Sequence, residues 1–363
     1  IIVLCDLVMV SILFLEKAST DKPKRIRTPL DLPLAALIVL SLCSAIFSSS
    51  RPDSIEGLIL FFSYLAIFYT TIYTVRTRQD QRQFLYVIAG IATLLSLIGI
   101  FKMLGVTLSV WHYPALDARN KFLSGTYGNH NHFAGYLEMA IPMVLVLLLI
   151  RQRRNLLKLG LVSLSIFLIL VHLLSMSRGG WAALSVSLAT MAFILLFRRK
   201  IPKKQLLLLT CGFLIFIAFW ILSGADLFER ALSLTDQQTV LGMNGRVIAW
   251  KGTVGMIQAH PLLGSGPGTY ATIAPQFQPP GFTNRFYQAH NDYLQYVAEL
   301  GYLFIPLLLW LLFAFFCTVS KKLKNRSRQA WGTTLGAMTG VVAILVHSLV
   351  DFNLHIPANA ILF

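Results

Sequence analysis

One stretch of the chain, Phe133–Ile150, reads FAGYLEMAIPMVLVLLLI and is followed at 151–154 by Arg-Gln-Arg-Arg. A helix needs about 20 mostly apolar residues to cross the hydrocarbon core of a bilayer. Basic residues directly after such a run are typical of a loop on the cytoplasmic side. The stretch therefore predicts a transmembrane helix whose C-terminal end lies inside the cell.

The same pattern recurs along the chain and predicts an all-α, polytopic transmembrane bundle of about ten spans. We place the spans near 1–15, 32–50, 57–75, 84–103, 133–150, 156–176, 181–197, 205–223, 293–318 and 331–350. The loops after the first, third, fifth, seventh and ninth spans hold 22 of the 31 Lys and Arg residues. This alternation supports both the number of spans and their orientation.

The composition also indicates a membrane protein, with 56% hydrophobic and only 13% charged residues. Soluble domains have about 45–50% apolar and about 25% charged residues. The net charge of +16 is concentrated in short loops, so membrane lipids are expected as partners and nucleic acid is not. The four cysteines lie in apolar runs, which favours buried small side chains over disulfides or metal ligands.

The chain is expected to be a single transmembrane domain over 1–363 that is part of a longer protein. It starts at Ile1 and ends at Phe363, both within apolar runs, so at least one span is expected to be missing at each end. The outward loops include a large one at 224–292, predicted to be periplasmic, with a helical segment at Gly245–Gln258 that His260-Pro261 should end. Because loops of this length in a compact domain are usually functional, we expect the chemistry on the outer face.

Two outward arginines are candidates for binding phosphate. Arg178 lies in the tight turn Ser-Met-Ser-Arg-Gly-Gly-Trp at 175–181, and Arg246 follows an Asn-Gly turn that opens the helical segment. A guanidinium can grip a phosphate with two parallel hydrogen bonds, and helix N-termini favour anions. The alternatives are a snorkelling or helix-capping role for Arg178 and a solvated loop position for Arg246.

His290 is the candidate general base, in Tyr-Gln-Ala-His-Asn-Asp-Tyr-Leu-Gln at 287–295. An imidazole can take up a proton near neutral pH, and Asn291 and Asp292 are placed to orient it. The alternative is a hydrogen-bonded structural histidine. If His290, Arg178 and Arg246 converge on one outward surface, they can bind a lipid diphosphate and activate the hydroxyl that attacks it.

Two further motifs favour structural interpretations. His130 and His132 suggest a metal site, but they are two residues apart with no cysteine nearby, so we expect no metal and instead a helix start with Asn129 or Asn131 as its cap. Gly264-Ser-Gly-Pro-Gly268 lacks the Gly-Lys-Ser/Thr ending of a P-loop. A turn that lets the backbone pass close to another segment is the favoured interpretation.

Taken together, these motifs resemble the O-antigen ligase family, which also includes O-antigen polymerases and protein O-oligosaccharyltransferases. The resemblance rests on segments at 175–181, 245–250, 260–268, 289–301 and 347–357 and has its core at 160–315. It implies a GT-C-type glycosyltransferase in the bacterial inner membrane, with its active site facing the periplasm. It also implies an undecaprenyl-pyrophosphate-linked glycan as donor and a reaction without cofactor, metal or nucleotide.

Carried over residue by residue, the resemblance implies that Arg178 and Arg246 bind the pyrophosphate and that His290 accepts the proton of the acceptor hydroxyl, with inversion at the anomeric carbon. The acceptor stays open between lipid A–core, another lipid-linked glycan and a protein side chain. A transporter or flippase of lipid-linked sugars is the main alternative. It predicts ionisable residues at mid-membrane, and the spans hold few, among them Asp6, His172 and His347.

Overall fold

The computed structural model describes residues 27–105, 122–150, 156–197, 243–278, 285–324 and 327–363. Twelve α-helices occur in these residues: α1 Asp31–Ile46, α2 Arg51–Thr74, α3 Arg78–Met103, α4 His130–Ile150, α5 Leu156–Leu174, α6 Arg178–Phe197, α7 Met243–Ala259, α8 Tyr270–Ile273, α9 Asp292–Leu300, α10 Phe304–Lys322, α11 Arg328–His347 and α12 Pro357–Leu362. Two short 3-10 helices follow α8 and α11, and these described ranges contain no strand. The predicted all-α class is confirmed.

Seven of these helices, α2 to α6, α10 and α11, are long and apolar enough to cross a membrane. With α1, a shorter apolar helix of 16 residues, they occupy eight of the ten predicted spans. The predicted spans at 1–15 and 205–223 lie outside the described residues. The count of ten and the GT-C type therefore stay predictions.

One predicted span, 293–318, is wrong as a single helix. Helix α9 ends at Leu300, and α10 begins only at Phe304. Between them Gly301 has a φ of +75°, and a Cβ atom on it would lie 2.1 Å from the carbonyl oxygen of Leu262. The apolar run is broken because a distant segment packs against the backbone at Gly301, which a hydropathy pattern does not reveal.

The predicted helix in the large loop is confirmed. The sequence predicts it over Gly245–Gln258, and the structure places α7 over Met243–Ala259. The helix ends directly before His260-Pro261 as expected, because proline disfavours helical backbone in the residue that precedes it.

The chain divides into two compact units. The first unit comprises residues 1–80 and 237–321, and the second comprises residues 81–236 and 322–363. Each unit is thus built from two separate stretches of the chain. The predicted single transmembrane domain over 1–363 stays a prediction.

The first unit is built around α9, which contacts three other helices. Helix α9 packs against α7, α1 and the short α8. Its buried core includes Met256 from α7, Tyr270 from α8 and Ala298 from α9, and all three side chains are at most 1% exposed. This packing joins α7 to α9, and both helices carry predicted site residues.

The second unit is built around α4. This helix is the most buried of the candidate spans, with 78% of its apolar window inside the structure. Helix α11 lies closely along it, because Gly332, Gly336 and Gly340 leave no side chain between the two helices. A glycine at every fourth position is a common device for close helix packing in membranes.

The outer surface of the second unit is apolar. Val87, Ile91 and Leu94 lie on one face of α3 and are between 43% and 58% exposed. Positions three and four apart share a helix face, and an apolar exposed face is what lipid chains cover. Together with the seven long apolar helices, this surface identifies a membrane protein.

Candidate active site

Two non-glycine residues in the described part of the chain have left-handed backbone conformation: Met176 with a φ of 55° and His290 with a φ of 51°. This conformation is uncommon for side-chain-bearing residues and tends to occur at functional sites. His290 is the predicted base, and Met176 lies two residues before Arg178. Both turns singled out from the sequence thus contain a strained residue.

The residue after His290 caps helix α9. The Asn291 side chain caps this helix, since its Oδ1 accepts a hydrogen bond from the backbone N–H of Leu294 at 3.0 Å. Asp292 is the first helical residue, and its side chain is fully buried. The structure gives Asn291 a capping role, and the predicted substrate contacts of Asn291 and Asp292 stay predictions.

The residue before His290 is held by Gln295. The Oε1 atom of Gln295 accepts a hydrogen bond from the backbone N–H of Ala289 at 3.0 Å. Its Nε2 donates to Glu299 Oε1 at 3.4 Å. Gln295 and Glu299 are four residues apart and therefore share one face of α9. The loop carrying His290 is thus fixed on both sides by α9.

Glu299 fixes the glycine turn at Gly264–Gly268. Its carboxylate is buried, 3% exposed, and accepts hydrogen bonds from the backbone N–H groups of Gly268 at 2.9 Å and Tyr270 at 3.3 Å. A Cβ atom on Gly264 would lie 2.2 Å from the carbonyl carbon of Glu299. The predicted close backbone passage is confirmed, and the N–H of Gly268 in this turn binds a protein carboxylate.

Tyr270 connects the glycine turn to α7. Its hydroxyl lies 2.7 Å from the hydroxyl of Thr253 on α7. Burial raises the pKa of Tyr270 to about 12, because an apolar environment disfavours the phenolate. The tyrosine is therefore neutral at physiological pH and able to share this hydrogen bond.

Arg246 is the fourth residue of α7 and is partly buried. Its helix packs against α9, whose first turn follows His290. The structure therefore places Arg246, His290, Asn291 and Asp292 on packed elements of the first unit. The packing of α7 on α9 is the structural basis for treating these residues as one candidate site.

Arg178 lies in the second unit, as the first residue of α6, and is exposed. Ser177 caps the helix, with its Oγ accepting from the backbone N–H of Gly180 at 3.2 Å. The turn before it is fixed by His130, whose Nδ1 lies 2.8 Å from the carbonyl oxygen of Ser175. Ser177 therefore supplies the helix cap, and Arg178 lies on the surface of the second unit.

A buried polar cluster lies beneath this turn. The Nδ1 atom of His347 is 3.1 Å from both carboxylate oxygens of Glu138, and a Cβ atom on Gly179 would be 2.9 Å from His347 Nε2. His132 Nε2 lies 3.7 Å from Asp351 Oδ1. Two imidazole–carboxylate pairs therefore lie inside the second unit.

The motif at 129–132 is a helix start, as predicted. Asn129 Oδ1 accepts a hydrogen bond from the backbone N–H of Asn131 at 2.8 Å. His130 and His132 contact different partners, namely Ser175 and Asp351. Within the described ranges there is no cluster of three or more His, Cys, Asp or Glu that could hold a metal ion.

The sequence was compared with known protein families. Residues 163–311 match the O-antigen ligase family. The match lies within the core at 160–315 on which the sequence resemblance rests. A search of curated proteins gives no match.

The O-antigen ligase match includes all five predicted site residues. Four of them lie in the first unit, and Arg178 lies in the second. The predicted convergence of Arg178 with Arg246 and His290 stays a prediction.

Several buried polar residues near the predicted site residues are not among those predicted from the sequence. Gln295 and Glu299 lie inside the O-antigen ligase match. They are four residues apart on the helix that follows His290 and its cap, and this spacing indicates that the two side chains share one helix face. Glu138 and His347 lie outside the match. Glu138 is an acid within an apolar run, and an ionisable residue in a span indicates function or a specific partner.

Proposed function

We propose that the protein is a membrane glycosyltransferase of the O-antigen ligase or polymerase type. It transfers a glycan from undecaprenyl pyrophosphate to an acceptor hydroxyl at the periplasmic face of the bacterial inner membrane. The observation that carries this proposal is His290: it lies in the family-matching segment, in a left-handed conformation, between two residues held by α9.

The proposed step is a direct displacement at the anomeric carbon. The acceptor oxygen bonds to this carbon, and the bond from the carbon to the pyrophosphate oxygen breaks. The acceptor proton passes to His290, and the electron pair of the broken bond leaves with undecaprenyl pyrophosphate. A general base of this kind contributes about 10²- to 10⁴-fold to a rate. One displacement inverts the anomeric configuration.

The two arginines are proposed to bind phosphate groups of the donor. Arg246 lies in the first turn of α7, where backbone N–H groups also favour anions. Arg178 is the first residue of α6, so it also lies in a first helical turn, and it is exposed. Diphosphate is a stable leaving group, so neutralising its developing charge is the main task of these residues.

The test is transfer by the purified full chain in lipid nanodiscs. Undecaprenyl-pyrophosphate glycan is supplied with one acceptor at a time: lipid A–core, a second lipid-linked glycan, or a Ser/Thr-containing peptide. We expect product with one of them, and its identity separates ligase, polymerase and protein-directed transferase. The His290→Ala variant should lose about 10²- to 10⁴-fold in kcat.

The matched control is His260→Ala, the other histidine in the described part of the first unit, which lies just after α7. This variant should keep the wild-type rate. Absence of product with every acceptor would contradict the proposed function. Product formation at the wild-type rate by His290→Ala would contradict the assignment of the base.

A second candidate function, transport of lipid-linked sugars, is favoured by the buried pairs Glu138–His347 and His132–Asp351. Intramembrane acids and histidines are typical of proton-coupled carriers. A transporter would move a fluorescent lipid-diphosphate sugar across proteoliposomes in response to a pH gradient. Loss of that movement in Glu138→Gln, without any glycosidic product in the wild type, would favour this function over transfer.

A further inference from the structure

A chain of hydrogen bonds runs from the glycine turn to Ala289, the residue before the candidate base. Backbone N–H groups of Gly268 and Tyr270 donate to the Glu299 carboxylate. Gln295 Nε2 donates to the same carboxylate at 3.4 Å, and Gln295 Oε1 accepts from the N–H of Ala289 at 3.0 Å. His290 is the next residue, so its backbone is coupled to Glu299 through one side-chain amide.

Gln295 suits this position because of its chemistry. It is only 2% exposed, and a carboxamide offers both an acceptor and two donor hydrogens. The acceptor serves Ala289, and the donors serve Glu299 and the Oε1 atom of Gln288 at 2.5 Å. A glutamate here would lack the donors and would place a second carboxylate beside Glu299.

The backbone of His290 needs such support. Its φ of 51° is sterically disfavoured for a residue with a Cβ atom, so the neighbouring structure must impose it. On the C-terminal side the Asn291 cap fixes the start of α9. On the N-terminal side Gln295 Oε1 holds the peptide N–H of Ala289.

We propose that Gln295 is a positioning residue for the transfer reaction, with Glu299 as its anchor. It holds the peptide before His290 so that the imidazole keeps the orientation needed to accept a proton. This inference rests on the proposed function, in which His290 is the base. It predicts a loss of kcat with little change in KM, because substrate binding is assigned to other groups.

The first experiment measures the hydrogen bond itself and does not depend on activity. Amide hydrogen exchange is followed in the purified full chain, in peptides covering 286–292, for wild type, Gln295→Met and Gln295→Glu. Methionine has a similar length but only a weakly accepting thioether in place of the amide oxygen, so exchange at Ala289 should become at least about tenfold faster in Gln295→Met. An unchanged exchange rate in this variant would overturn the proposed role.

The second experiment measures transfer with undecaprenyl-pyrophosphate glycan and the acceptor that the wild type uses. Gln295→Glu should lower kcat at least about 50-fold and leave KM for the donor within about twofold. The double variant Gln295→Glu with Glu299→Gln restores one amide and one carboxylate in exchanged positions. The kcat of this double variant should be at least about tenfold higher than that of Gln295→Glu alone. The control is Gln258→Glu on the exposed surface of α7, which should behave as wild type.

The outcomes separate the two proposals. Faster exchange with kcat unchanged in Gln295→Met, while His290→Ala is inactive, would overturn the positioning role and leave the proposed function standing. A rise in KM as large as the fall in kcat would show a general structural role and also overturn it. A fully active His290→Ala variant would remove the base and with it the need to position it.

Discussion

At the scale of single residues, His290 is the candidate base and is held in a disfavoured backbone conformation. A left-handed residue with a side chain costs about 1–2 kcal/mol, and the hydrogen bonds made by Asn291 and Gln295 are each worth a similar amount. The local cost is therefore offset by neighbours that are themselves part of α9.

The cap at Asn291 gives a stability prediction. Asn291→Ala removes the acceptor for the N–H of Leu294, so it should destabilise the protein by about 1 kcal/mol. Asn291→Asp keeps an oxygen in the same place and should cost much less. Thermal unfolding in detergent measures both variants. Equal stability of Asn291→Ala and wild type would show that the cap does not contribute.

Arg178 gives a second prediction at this scale. Arg178→Lys keeps the charge but loses the planar fork that binds phosphate with two hydrogen bonds. Transfer should fall about 10- to 100-fold, since a charged hydrogen bond is worth about 1.5–3 kcal/mol. Arg82→Lys on the exposed side of α3 is the matched control and should keep full activity. Wild-type transfer by Arg178→Lys would show that phosphate binding does not need the planar guanidinium of Arg178.

At the scale of elements, the glycine turn and α9 form one interlocked piece. Gly266 has a φ of +115°, and a Cβ atom on it would lie 2.2 Å from Ser48 Oγ and 2.4 Å from Ser54 Oγ. The turn thus packs on the connection between α1 and α2 as well as on α9. Glycine is required here by both conformation and space.

This packing predicts that Gly266→Ala is strongly destabilising. The added methyl group meets both an unfavourable φ and two side chains, so a loss of about 2 kcal/mol or more is expected. Gly160→Ala in α5 is a suitable comparison, because a Cβ atom there meets nothing within 4 Å. This second change should stabilise α5 by about 0.5–1 kcal/mol. Denaturant unfolding distinguishes the two, and a stable Gly266→Ala protein would contradict the tight packing.

At the scale of the whole molecule, the second unit combines an apolar surface with ionisable groups inside. Glu138 on α4 is fully buried, and His347 at the end of α11 is 1% exposed. Helices in a membrane are held together by close packing and by polar contacts. The pair thus joins α4 and α11 at one end of their interface, in addition to the contacts at Gly332, Gly336 and Gly340.

Breaking this pair should have a large effect. His347→Leu leaves the Glu138 carboxyl buried without its partner and should destabilise the protein by about 3 kcal/mol or more. The double variant with Glu138→Leu removes both polar groups and should recover most of this loss. Unfolding by SDS titration measures both variants. A double variant no more stable than His347→Leu would contradict a direct pairing of the two side chains.

Much of this molecule follows from local sequence properties. The alternation of apolar runs and basic loops predicts the spans that α3 to α6 and α11 occupy, and Asn129 predicts the start of α4. The position of His290 beside a helix cap is also visible in the order His-Asn-Asp. The hydropathy of the run at 293–318 predicts one helix, because it gives no sign of the break at Gly301.

That the protein is helical and membrane-embedded, and which residues are candidates for its chemistry, can be read from the order of its amino acids. Apolar length, loop charge and short motifs are local quantities, and a chain carries them whatever its segments pack against. Three contacts become visible only in the folded chain: Leu262 meets Gly301, Glu299 holds the glycine turn, and Glu138 meets His347 across 209 positions of the chain. These contacts join residues that are far apart in the sequence, so they depend on how each unit packs as a whole.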